Sequence, residues 1–138
     1  MKQWMIQCEA EPMEAVLPGG ESALLHRMRN EGEDELRIEV PYAGAYGMGE
    51  KFNGLNQKGN TVVNQVIEHF CHQGEYTYLT APFFVTDTGL GIYIETDKKT
   101  VFSFQENIVC EIPADAAVYV FIGAVDEVIS AYMKLLGE

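Results

Sequence analysis

The sequence predicts an all-β fold, an antiparallel β-sandwich with one C-terminal α-helix. Three observations carry that expectation. Short segments rich in β-branched and aromatic residues recur at roughly the 8–12 residue spacing of sandwiches and barrels. The links between them are turns, too short for the crossovers that parallel strands need. Only the C-terminal stretch "AVDEVISAYMKLLGE" repeats its apolar residues at helical spacing.

Taken in order, the expected strands cover residues 4–8, 23–29, 35–40, 61–67, 83–86, 91–95, 100–104, 108–112 and 117–122. Between the first and second, "LPGGE" supplies a proline and a glycine pair for a turn, and "NEGEDE" makes a charged tip between the second and third. "TDTG" and "TDKK" join Asp to residues that accept tight-turn geometry. In the helix, expected over about 125–136, Val125, Val128, Ile129, Tyr132, Leu135 and Leu136 form one buried stripe. Asp126 and Glu127 suit the positive end of its dipole, and Gly137 is its stop.

With 138 residues and 47% hydrophobic content, the chain is expected to form one domain with a real core. Its formal charge of -12 disfavours nucleic acid and anionic membrane surfaces, whose recognition rests on Lys and Arg. No apolar run approaches membrane-spanning length, and "MKQWMIQC" lacks the apolar core of a secretion signal. Cys8, Cys71 and Cys110 form an odd set without paired spacing, read as reduced thiols in a cytoplasmic protein.

The glycine-rich stretch "AYGMGEKFNGLNQKGN" invites a phosphate-cradle reading that its spacing does not support. Gly44, Gly47 and Gly49 do not give G-x-G-x-x-G, and no helix start follows. Glycines at bends and bulges of a sheet are the simpler account. "EHFCHQGE" crowds Glu68, His69, Cys71, His72 and Glu75, yet no second cluster completes a zinc ligand set. No nucleophile elbow is present. Glu50, Glu68, Asp87, Glu95 and Asp97 are carboxylates of the type that glycoside hydrolysis uses in pairs, and solvated turns account for them equally. Phe70, Tyr76, Tyr78, Phe83 and Phe84 supply aromatic surface for a core, a sugar platform or a docking face, with Pro82 suited to a strand start or an edge.

The order of segments is more informative than any one of them. "YGMGEKF" at 46–52, "YLTAPFFVTDTGLGIYIET" at 78–96, "VYVFIG" at 118–123 and "VISAYMKLLG" at 128–137 together resemble the N-terminal β-sandwich of glycoside hydrolase family 31, which includes α-glucosidases and α-xylosidases. The resemblance implies a galactose-mutarotase-like sandwich whose structural motif is Gly47, Gly49, Glu50, Phe52, Pro82, Phe83 and Gly91. It implies a non-catalytic accessory domain without cofactor or metal, whose helix leads toward a (β/α)8 barrel carrying the catalytic Asp pair of a retaining α-glycosidase. It also implies a loop after Val62 and before Tyr78 at the shared active-site rim, with Glu68, flanked by His69 and Phe70, as the sugar contact. The family's Asn-x-Asp neighbourhood reads "VIE" here. A stand-alone carbohydrate-binding module and a homo-oligomer are the other expectations.

Overall fold

The computed structural model describes residues 1–49, 56–64 and 81–137. Its strands are β1 (Lys2–Met5), β2 (Met13–Val16), β3 (Ser22–Asn30), β4 (Glu33–Glu39), β5 (Ala45–Gly49), β6 (Thr61–Asn64), β7 (Ala81–Thr86), β8 (Leu90–Glu95), β9 (Thr100–Phe104), β10 (Ile108–Pro113) and β11 (Ala117–Ile122), followed by helix α1 (Val125–Leu135). They form two antiparallel sheets, ordered β1-β11-β8-β7-β5 and β2-β3-β4-β10-β9-β6. The antiparallel sandwich with one C-terminal helix is therefore the observed architecture. No helix among the described residues is long and apolar enough to cross a membrane.

Strands of the second sheet alternate as a sheet with one wet face should. In β4, Asp34, Leu36 and Ile38 point inward while Glu33, Arg37 and Glu39 meet solvent. The tip between β3 and β4 has positive φ at both Glu31 (44°) and Gly32 (91°), the two-residue geometry whose twist matches that of its strands. Strands β7 and β8 read differently because both of their faces are covered. Phe84, Leu90, Ile92 and Ile94 enter the inter-sheet core, whereas Phe83, Val85 and Gly91 lie under α1.

α1 sits on the outer face of the first sheet through a small second core of Phe83, Val85, Phe121, Val128 and Tyr132. The rings of Phe83 and Tyr132 stack with centroids 3.9 Å apart and planes 3° apart. Gly91 makes this approach feasible, since a Cβ there would overlap Val128 Cγ1. At the helix start, Glu127 accepts a hydrogen bond from the Ala124 N–H at 3.1 Å, and Gly137 stops the helix at φ 95°.

One buried ion pair ties the two sheets together at one end. The Asp34 carboxylate accepts from Arg27 Nε at 2.7 Å, Arg29 Nε at 2.6 Å and Cys8 Sγ at 3.2 Å. Arg27 spends its remaining donors on the carbonyls of Ile6, Ala114 and Ala116, residues where the chain leaves β1 and crosses from β10 to β11. Burial pushes the Asp34 carboxyl up, but hydrogen bonds from Arg27, Cys8 and Arg29 outweigh it and hold the group below its ordinary range.

Four outcomes are expected. Asp34→Ala lowers stability by about 3–5 kcal/mol in urea unfolding because it leaves the buried Arg27 charge unpaired; Arg27→Ala also lowers it, by leaving Asp34 with Arg29 alone and three carbonyls without their donor. Since the folded carboxyl has the lower pKa, its contribution is complete above the ordinary value of 3.8 and is lost as pH falls through the depressed one; an acid titration of Asp34→Asn lacks that component. Gly91→Ala pushes α1 outward and costs about 1–3 kcal/mol by the same unfolding measurement. Burial, with the nearby Tyr93, pushes Tyr132 from 10.0 up to about 12, so stability from its neutral form is present below pH 10.0 and lost as pH rises through about 12. Tyr132→Phe removes that alkaline loss.

Candidate functional site

Strand register brings several chain connections to one end of the sandwich. Gly49, the last residue of β5, pairs with Ala81, the first of β7. β6 ends at Asn64 opposite Thr100. α1 descends the outer face toward the same end, with Val128 over Gly91 and, one turn later, Tyr132 against Phe83 and Tyr93. The connections 50–55 and 65–80 thus leave from, or return to, strand ends grouped at this pole.

The glycine-rich stretch, where it is described, is the strand β5 and a turn at 56–60. Gly47 adopts φ +126°, and a Cβ on it would lie 2.5 Å from the Phe83 carbonyl oxygen, so the backbone of β5 presses directly on β7. The register slips between Gly47 and Gly49, a bulge opposite the start of β7. Pro82 occupies that start, where its missing N–H costs least; it is buried on an interior strand, not exposed at a rim or an edge. The return to the second sheet is bonded side chain by side chain. Asn56 Oδ1 accepts from Ala45 N at 3.1 Å and Lys58 N at 2.9 Å, and Lys58 Nζ donates to the Tyr42 carbonyl at 2.6 Å while lying 4.5 Å above its ring.

Among the residues singled out from sequence, Gly47, Gly49, Pro82, Phe83 and Gly91 occupy β5, β7 and β8 and serve the packing just described. Glu50, Phe52, Glu68, His69 and Phe70 lie outside the described residues, as do Cys71, His72, Glu75, Tyr76 and Tyr78. Two other candidate carboxylates are used by the fold, and Asp97 is exposed: Asp87 accepts from the Ala43 and Gly44 N–H groups at 2.9 Å each, and Glu95 accepts from the Tyr119 hydroxyl at 3.2 Å. Phe83 and Phe84 are both buried, which withdraws them from any sugar platform.

Sequence reasoning missed one group of this pole. Tyr93 and Tyr119 stack 5.8 Å apart on the outer face of the first sheet, half-buried, beside Glu95. Burial, with the Glu95 charge and Tyr119 next to it, raises the Tyr93 hydroxyl pKa. The signal was available in "GIYIE" and "AVYVF", where each tyrosine falls on the face opposite the inward isoleucines and valines. Among the described residues, no three His, Cys, Asp or Glu side chains come together as a metal site, and Cys8 and Cys110 are free thiols.

No family model matches the chain. An isomaltosyltransferase from Sporosarcina globispora is 29% identical over 69 residues, which take in 43% of this chain and 6% of that protein. Two structures of the family 31 dextranase of Flavobacterium johnsoniae, a mutant complexed with isomaltotriose and a complex with glucose, superpose with a TM-score of 0.60 over 81% of this chain, at 20% and 19% identity. The chain spans a small share of these relatives, 15% of the dextranase and 6% of the transferase. The chain therefore shares its fold with a segment that makes up 15% of that family 31 dextranase.

Proposed function

We propose that this chain is the N-terminal accessory domain of a retaining α-glycosidase, packing on a (β/α)8 barrel and holding a loop at the barrel's substrate entrance. The observation that carries the reading is the shared pole of the sandwich. The ends of β5, β6 and α1 and the start of β7 meet there, so residues 50–55 and 65–80 spring from the same end that α1 approaches. Rigid strands under such a loop matter because small displacements of binding groups reduce rate steeply. On this reading Glu68, with His69 and Phe70 beside it, is the sugar contact, and the chain supplies no catalytic group. The names of the relatives share glucose units joined as isomaltose, so isomalto-oligosaccharides are the proposed substrate class of the complete enzyme. A reducing compartment such as the cytoplasm suits the free Cys8 and Cys110.

Two measurements test it. The chain alone is expected to release no sugar from isomaltotriose or from aryl α-glucosides and α-xylosides; turnover that disappears on mutating its own carboxylates sinks the accessory reading. In an enzyme that joins this domain to a family 31 barrel, Glu68→Gln is expected to raise KM for isomaltotriose roughly tenfold or more, the loss of one charged hydrogen bond being about 1.5–3 kcal/mol. Unchanged KM and kcat would remove Glu68 from the site.

A further inference from the structure

On the side of the sandwich away from β5 and β6, the two sheets end in β1 and β2. The two strands are protected differently. β2 lies between Pro12 and Pro18 and carries Glu14, devices that discourage edge pairing. β1 is "KQWM", with no proline, glycine or acid, and its register against β11 runs without a bulge from Lys2↔Ile122 to Met5↔Tyr119.

The free hydrogen-bonding groups of β1 can be assigned. Ile6 N–H donates to the Val118 carbonyl at 3.0 Å, so in the alternating antiparallel pattern Lys2 and Trp4 also face β11. Gln3 and Met5 therefore turn their N–H and C=O toward the open edge, where nothing among the described residues pairs with them. Two methionines are exposed at this edge, Met1 at 56% and Met5 at 45%. A groove of about 620 Å³ runs between the edge and α1, lined by Met1, Gln3, Asp126, Glu127, Ser130 and Lys134 among others.

α1 lies alongside β1 and runs the same way. Val128 is over Gly91, which is level with Gln3 through Phe121, and Tyr132 is against Tyr93, which is level with Met5 through Tyr119. Ser130, midway between, is level with Trp4. Acid stands at one end of this helix face in Asp126 and Glu127, and base at the other in Lys134.

We propose that β1 is a dimerisation strand, pairing antiparallel with β1 of a second copy of this chain about a two-fold axis at Trp4. In this register Gln3 and Met5 of each copy exchange backbone hydrogen bonds with Met5 and Gln3 of the other, which uses every free group of the strand. The two first sheets become one continuous sheet. The two-fold sets the helices antiparallel, with Asp126 and Glu127 of one directed toward Lys134 of the other across the joined grooves. That charge complementarity, and an acid-free strand in a chain of net charge -12, select a second copy over an unrelated strand. The interface lies on the side opposite β5 and β6 and stands whether or not the accessory-domain reading does.

Trp4 is the only tryptophan, packs against the inter-sheet core and has its indole N–H buried without an acceptor, so its emission reports on this edge. Sedimentation velocity of the chain from low to high micromolar concentration is expected to show a dimer that dissociates on dilution, with Trp4 emission moving to the red as it does. Gln3→Pro deletes one free-edge donor, and Met5→Lys places a charge on an exposed side chain that the monomer tolerates; each is expected to weaken the dimer roughly tenfold or more. Met5→Lys decides the matter if Gln3→Pro disturbs the fold. A chain that stays monomeric at the highest concentration, or a dimer that Met5→Lys leaves equally tight, overturns the proposal.

Discussion

Apolar burial draws the two sheets together but has no direction, and it does not say where the chain should cross between them. Arg27 supplies that direction. Its guanidinium is buried at 5% exposure, neutralised by Asp34 across the β3–β4 hairpin, and its fixed fork reaches the carbonyls of Ile6, Ala114 and Ala116. Two of those belong to the crossover from β10 to β11, and the third to the exit from β1. A hydrophobic residue of similar size would fill the volume, yet it would leave three carbonyls without donors. The placement of β1 and β11 in the first sheet, and through them the platform on which α1 rests, follows from this one side chain.

Above that clamp the molecule has two cores that share strands. Phe84 meets Phe104 edge-on at 5.1 Å inside the sandwich, while its neighbour Phe83 stacks on Tyr132 outside it. Consecutive residues of β7 thus serve opposite faces, which is why the segment is apolar throughout where other strands alternate. The small residues complete the arrangement by absence of a side chain: Gly47 lets β5 close on β7, and Gly91 lets Val128 settle on β8. Gly47, which looks in sequence like part of a ligand cradle, is in space a close contact between two strand backbones.

Much of this was legible in the sequence. The helix, its Gly137 stop and the stripe of Val125, Val128, Ile129, Tyr132 and Leu135 follow from spacing, whereas Leu136, expected in that stripe, lies past the helix end and is exposed at 46%; eight of the nine expected strands overlap a described strand over most of their length because burial imposes a period of two. The first was displaced: expected at 4–8, β1 is Lys2–Met5, because Cys8 and the residues before it turn toward Asp34. β2 was not anticipated, since "MEAV" is short, carries Glu14 and lies between prolines, all features of a turn region. β5 was read as a glycine-rich segment, because glycine suppresses the β signal although close packing demands it. The expected strand 61–67 runs to Asn64 as described, and the proposed sugar contacts lie beyond it. The Arg27–Asp34 pair left no trace, because the carbonyls that make burial of Arg27 worthwhile, those of Ile6, Ala114 and Ala116, are distant along the chain. Cys8 and Asp34 are 26 positions apart, and nothing between them marks the two as neighbours.

The first strand pairs with the last, Lys2 opposite Ile122. During synthesis the β3–β4 hairpin can close as soon as it leaves the ribosome, since its partners adjoin across two residues. β1 emerges earlier still and must wait for nearly the whole chain before β11 exists to receive it. The first sheet is therefore assembled late, by the most non-local contact in the molecule, and until then Trp4 and the apolar strands of its sheet are open to other chains. The interval between the emergence of the two strands is when β1 is most open to wrong pairing, whatever the stability of the finished sandwich.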